Sequence, residues 1–235
     1  MYLFIQEFRE PYTVRKTLNK ATLNKMQENF PHHQTKMDGA LVQQKKTELI
    51  KELFRKAIHM LTVFIPFLLR IAYYPVILLL TLVLIVYVLS EILRLHKKEF
   101  PIISHITSAA ARQRDGHGFV LGPVMLAFGV ILTALFFDPL PAQIGITALA
   151  LGDGLASLVG KLCGKICIPF TKGKTLMGSL SCFIAIFLST LCITRSLAPS
   201  LIIAFAGTLI ELIPIKDVDN ILIPLSLALL AQFLI

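Results

Sequence analysis

A carboxylate stands where hydropathy calls for hydrocarbon. In Ala150-Leu-Gly-Asp-Gly-Leu-Ala-Ser-Leu-Val-Gly-Lys161, Asp153 is set among glycines inside a long apolar run. An ionised carboxylate is costly in a bilayer, so Asp153 is expected to face protein or a wet cavity and to be functional. On a helix, Asp153, Ser157, Gly160, Lys161 and Gly164 recur at three- and four-residue intervals and share a face. Gly154, Gly160 and Gly164 would admit a phosphate or a neighbouring helix close to the backbone. The bland alternative is small-residue packing with Asp153 paired to a lysine, although packing alone does not require a carboxylate.

Further along, Lys172-Gly-Lys-Thr-Leu-Met-Gly-Ser179 superficially suggests a Walker A loop. That motif would need glycine at Ile168 and a preceding β-strand, so a soluble P-loop is excluded. What remains is a basic turn opening an apolar segment. Lys172, Lys174, the hydroxyls of Thr175 and Ser179, and free helix N–H groups all favour phosphate. Ordinary flanking of a membrane span by lysine is the competing reading. Glu211 ends another apolar run, and Asp217, Asp219 and Asn220 follow it; such oxygens, with phosphate oxygens, suit Mg²⁺. Glu211 and Asp219 are better ligand candidates than Asp217, which is equally at home as a solvated loop residue. Near the N-terminal side, Glu52, Arg55, Lys56 and His59 lie on adjoining turns of one helix, and Tyr87, Glu91 and Arg94 line a face of another. Either cluster could be a salt-bridge array, and basic groups there could also hold nucleotide phosphates.

The elements that position these groups are apolar helices. Hydrophobic residues make up 55% of the 235-residue chain, and mean hydropathy is +0.74. A bilayer crossing takes about 20 apolar helical residues. Seven spans are expected, at roughly 57–72, 73–91, 118–137, 141–160, 176–194, 197–213 and 220–235, giving an all-α polytopic membrane protein. The first is short, contains Pro66 and ends at Arg70. Long apolar runs lack the alternation of a membrane barrel.

Residues 1–57 hold 11 of the 23 Lys/Arg. The connections after spans 2 and 4 carry Arg94, Lys97, Lys98, Arg112, Arg114 and then Lys161, Lys165, Lys172, Lys174, while the one after span 6 has Lys216. The intervening connections carry only Arg70, none, and Arg195. The alternation predicts a cytoplasmic N-terminus and places the chemically equipped face in the cytoplasm. The +9 net charge is thereby explained by topology and anionic headgroups, without nucleic acid. Residues 1–47 read as a polar, basic extension and 48–235 as the membrane domain. With no apolar h-region before residue 57, no cleaved signal peptide is expected, and no function is placed on residues 1–36. Cys163, Cys167, Cys182 and Cys192 lack zinc-site company and read as packed, reduced thiols.

Taken in order, Gly152-Asp153-Gly154-x-Ala156-x3-Gly160-Lys161-x2-Gly164-Lys165, then Lys172-x-Lys174-Thr175-x2-Gly178-Ser179, then Glu211 and Asp219-Asn220, resemble the CTP-dependent lipid kinase family of dolichol kinases, phytol kinases and CTP-using diacylglycerol kinases. Glu52-x2-Arg55-Lys56-x2-His59 is similar to its N-terminal motif. The resemblance covers roughly residues 48–235. It departs at Met177, where the family usually has Glu. It implies transfer of the CTP γ-phosphoryl group to a membrane lipid alcohol, such as a polyprenol, a phytol-like isoprenoid or diacylglycerol, with Mg²⁺. Asp153, Glu211 and Asp219 would be the catalytic and metal-binding groups. Arg55, Lys56, Gly160, Lys161, Lys172, Lys174, Thr175, Gly178, Ser179 and Asn220 would bind nucleotide or phosphate. A multi-pass position in an inner or endoplasmic-reticulum-type membrane follows, and a homo-oligomer is left open. The alternatives are a phosphatidate cytidylyltransferase, whose longer C-terminal signature is replaced here by Lys216-Asp-Val-Asp-Asn220, and a membrane transporter or scaffold.

Overall fold

A computed structural model describes residues 43, 47, 50–96, 119–171, 173–213 and 217–235. Most of the basic extension, the connection carrying Lys97, Lys98, Arg112 and Arg114, and also Lys172 and Lys216 lie outside the described residues. The described part is helical, and its only β feature is an isolated antiparallel bridge between Cys167 and Thr175.

Helix α1 is described over residues 50–61 and passes through a 3₁₀ turn, Thr62–Phe64, into α2, Ile65–Ile71. The region 57–72 is therefore not one continuous span. Pro66 occupies the first turn of α2, where its missing N–H costs nothing, and the preceding turn tightens to meet it. Then follow α3 (Tyr73–Leu95), α4 (Gly122–Phe136), α5 (Pro139–Thr147), a π-helical segment (Ala148–Asp153), α6 (Gly154–Cys163), α7 (Leu176–Thr194), α8 (Leu197–Leu212) and α9 (Asp219–Leu234).

Three helical stretches are long and apolar enough to cross a bilayer: Tyr73–Leu95, Pro139–Cys163 and Leu176–Thr194. The expected spans near 118–137, 197–213 and 220–235 appear as α4, α8 and α9, of 15, 16 and 16 residues. At 1.5 Å per residue these reach about 24 Å, short of a hydrocarbon core of about 30 Å. Their ends have local causes. Helix α5 starts at Pro139 after the extended Asp138, α7 starts at the Thr175 cap and stops where Arg195 turns left-handed, and α8 is followed by Pro214, which cannot continue a helix.

The stretch Pro139–Cys163 is central. Of its most apolar window 67% is buried, against 11% for α3, whose Leu, Ile and Val side chains point outward. An apolar helix with so little protein cover suits lipid contact. Around the centre pack α7, α9 and α8, with Ile144, Ile146, Leu149, Ile186, Ile203 and Leu227 in the core. Close approach depends on glycine. A Cβ at Gly145 would lie 2.3 Å from the Pro224 carbonyl oxygen. Pro224 sits inside α9 and lacks the N–H that would take up the Asn220 carbonyl. Gly129 of α4 lies against that same oxygen, which a Cβ would approach to 2.2 Å.

Candidate active site

Asp153 closes the π-helical segment, whose wider turn lies where the chain passes from α5 to α6. Such segments are frequent at functional sites. Its carboxylate is 7% exposed, and Oδ2 accepts a hydrogen bond from the Lys56 ammonium. His59 Nε2 lies 3.3 Å from the same oxygen and has no hydrogen-bond partner. Lys56 and His59 are one helical turn apart on α1 and both buried, so a single face of α1 is laid against Asp153 across 97 residues of sequence. Burying charges this deeply costs several kcal/mol per ion, roughly, unless they are paired. The sequence places Glu52, Lys56 and His59 on neighbouring turns, but nothing in the spacing marks Asp153 as their counterpart.

A second group adjoins it. Glu52 accepts from Arg55 Nη2 at 2.5 Å and from the Ser157 hydroxyl at 3.1 Å, and Lys161 Nζ stands 3.3 Å away. Burial by itself would raise the Glu52 carboxyl, but the charges of Arg55, Lys161 and Lys56 outweigh it and hold the group below the ordinary carboxylate range. Glu52 thus organises two of the expected phosphate-binding cations, Arg55 and Lys161. Arg55 Nε is buried and unpartnered, leaving a donor in reserve.

The third group joins α8 to the turn before α7. Lys174 Nζ donates to Glu211 Oε1 at 2.7 Å, while Glu211 Oε2 is buried without a partner. Glu211 on α8 and Asp219 on α9 stand on helices that pack against the π-helical segment carrying Asp153. Among the described residues no three His, Cys, Asp or Glu side chains converge as a finished ligand set. Mg²⁺ commonly takes one or two carboxylates plus phosphate oxygens, and the orphaned Glu211 Oε2 suits such a partial set.

Other expected site residues do structural work. Gly160 and Gly178 face each other where α6 crosses α7: a Cβ at Gly178 would lie 2.7 Å from the Ala156 carbonyl oxygen, and one at Gly160 2.9 Å from Thr175 Oγ1. Thr175 caps α7 by accepting from Gly178 N at 3.2 Å, and donates to the Gly160 carbonyl at 3.4 Å. Asn220 Nδ2 donates to the Gly122 carbonyl at 3.4 Å, tying α9 to α4. Ser179 is buried with its hydroxyl unpartnered. Glu91, 1% exposed, accepts two bonds from Arg94, at 2.6 and 2.9 Å, and one from Val120 N at 2.8 Å. That cluster staples the start of the α4 region onto α3, the salt-bridge reading of its sequence pattern.

Sequence comparison finds relatives among curated proteins. The chain is 30% identical over 148 residues to a protein named probable phytol kinase 1, chloroplastic, from Oryza sativa subsp. japonica, a match covering 55% of this chain and 47% of the relative. It is similar to phytol kinases. A probable phytol kinase from Triticum aestivum is likewise 30% identical, over 55% of this chain and 49% of its own. Phytol kinase 1 of Arabidopsis thaliana is 26% identical, over 54% and 48%. The chain spans about half the length of the curated relatives it matches. These relatives bear out the family resemblance read from the motifs. No protein-family model and no solved structure matches the chain.

Proposed function

We propose that residues 48–235 form a lipid kinase domain that transfers the γ-phosphoryl group of CTP to the hydroxyl of a membrane lipid alcohol, with an isoprenoid alcohol of the phytol type as the first candidate. The observation that carries the reading is the buried Asp153–Lys56–His59 cluster inside a membrane-length helical stretch, flanked by two further cation–carboxylate groups. The names of the relatives supply the acceptor class.

Phosphoryl transfer asks a protein for positioning and charge neutralisation more than for covalent chemistry. Arg55, Lys56, Lys161 and Lys174 are held in place by Glu52, Asp153 and Glu211, so a polyphosphate meets cations that are already oriented. Asp153 Oδ2 would accept or orient the lipid hydroxyl proton, with the His59 ring fixing one side of that carboxylate. A divalent ion, when bound, supplies charge neutralisation across the phosphate oxygens; Asp153, Glu211 and Asp219 are the residues that would hold it. The lipid tail stays in hydrocarbon while its alcohol reaches the polar boundary. The positive-inside pattern supports a cytoplasmic position for that boundary and a multi-pass chain.

The test is turnover by purified protein in lipid nanodiscs with phytol, a polyprenol or diacylglycerol and each of CTP, ATP, GTP and UTP, with and without chelator. The reading expects a lipid monophosphate, CTP as the preferred donor, and loss of activity on chelation. No phosphorylated lipid from any alcohol with any donor would overturn it.

A further inference from the structure

Between α6 and α7, the described residues 164–171 and 173–175 form a short hairpin. Ile168 N donates to the Lys174 carbonyl at 2.8 Å, Leu176 N to the Ile166 carbonyl at 3.0 Å, and Cys167 bridges Thr175. At its tip Phe170 is 98% exposed and has φ +66°. The left-handed region is disfavoured for a residue with a Cβ by roughly 1–2 kcal/mol, and Gly or Asn would fill it more cheaply. An aromatic ring this exposed gains almost no burial among the described residues to offset that cost. A surface outside the chain would supply the missing burial.

What lies outside is set by the neighbours. The hairpin directly connects two helices of membrane-crossing length, Pro139–Cys163 and Leu176–Thr194, and a bilayer crossed by both would place its base at the boundary. Leu162 and Ile166 are each 65% exposed and Leu176 53%, which continues the apolar surface from the helix ends onto the hairpin. Lys165 and Lys174 flank the same excursion. Aromatic and aliphatic side chains beside lysines are the composition of a segment lying in the headgroup layer, apolar groups reaching the acyl boundary and ammonium groups meeting phosphate. A nucleobase platform would need the aromatic ring but not the aliphatic surround.

We propose that the 164–175 hairpin is a membrane-interface anchor, with Phe170 inserted among the lipids beside the site. Lys174 lies on the returning arm of the same hairpin, so the anchor holds it at the depth where a polyphosphate in water meets an alcohol in the bilayer. This assignment does not depend on which reaction the site performs.

The chain contains no tryptophan, so Phe170→Trp is a single-site reporter. With the variant in nanodiscs, its emission is expected to shift to the blue and to lose most of its intensity when the lipids carry bromines near the top of the acyl chains, while aqueous iodide has little effect. Ile166→Trp, an independent reporter on the same surface, is expected to behave likewise if the first variant fails to fold. Emission typical of water, quenched by iodide and insensitive to brominated lipid at both positions, overturns the proposal. Quenching of the Phe170→Trp signal by added CTP without quenching by brominated lipid also overturns it, in favour of a base-stacking platform.

Discussion

Replacing Lys56 by methionine isolates what the buried pair contributes. Lys56 and Asp153 are 5% and 7% exposed, and Asp153 has only the His59 ring, 3.3 Å away, as a second partner on that oxygen. Stripping one member from a buried ion pair typically costs about 3–5 kcal/mol, because the other charge is stranded. The His59 ring sits close enough to offset part of this, so about 3 kcal/mol is expected for Lys56→Met, and a similar loss for Asp153→Leu, which strands the ammonium. Removing both in Lys56→Met/Asp153→Leu leaves no charge stranded. Most of the stability should return, giving a coupling of several kcal/mol, roughly, in the double-mutant cycle. Activity should not return, since losing one preorganised charge contact lowers the rate about 10²–10³-fold. The assay is reversible unfolding in detergent or nanodiscs for the four proteins, with lipid phosphorylation measured beside it. Strictly additive losses would refute the buried pairing. A Lys56→Met enzyme with full turnover would refute its place in the site.

Lys174→Ala strands Glu211 and removes a cation proposed to meet phosphate, so the KM for nucleotide should rise far more than that for the lipid; Lys98→Ala, a control in another basic connection, should leave both unchanged, and equal small effects would return Lys174 to topology alone. Gly178→Val drives a side chain into the Ala156 carbonyl and should cost about 1–3 kcal/mol of stability; a neutral result would contradict the tight α6–α7 crossing. The Glu52 carboxyl is lowered below its ordinary 4.5 in the fold, so its contribution is complete above that pH and is lost as pH falls through the depressed value. The stability gap between wild type and Glu52→Gln should therefore be widest near neutral pH and close below about pH 4.5; a gap independent of pH would show that the ion pairs carry nothing. Cysteine-accessibility labelling should reach positions 161–174 and 215–219 from the cytoplasmic side and the loop at Asp138 from the other; labelling of the Asp153 and Glu211 ends from opposite sides would dismantle the single site.

The helices are legible in the sequence because apolar runs and their breakers are local. Leu176–Thr194 falls at the residues expected for it, set by Thr175 before it and Arg195 after it. The region 57–72 departs from expectation because hydropathy averages over a window, whereas Pro66 and the 3₁₀ turn act on single hydrogen bonds. Asp153 stands out in the sequence as a charge that needs a partner or a task, since a carboxylate in an apolar run is too costly to keep without one, and the structure shows it buried and paired. Its partners do not stand out, because the pairing of α1 with the π-helical segment of the central stretch is a tertiary fact that no spacing encodes. Glycine is ambiguous for the same reason. Gly160 and Gly178 permit close approach, and only the crossing of α6 and α7 decides that the approaching group is another backbone. Glu91 and Arg94 repeat the Glu52–Arg55 spacing, yet one cluster staples a chain segment and the other faces Ser157 and Lys161.

The central claim is tested most directly by following the label. Purified protein in nanodiscs containing phytol is given CTP labelled at the γ-phosphorus and, separately, at the α-phosphorus, with Asp153→Asn run alongside. The account predicts that the γ-label appears in a lipid monophosphate, that the α-label remains in CDP, and that the folded Asp153→Asn protein transfers neither. Transfer of the α-label to lipid with release of pyrophosphate, or undiminished γ-transfer by Asp153→Asn, would contradict it.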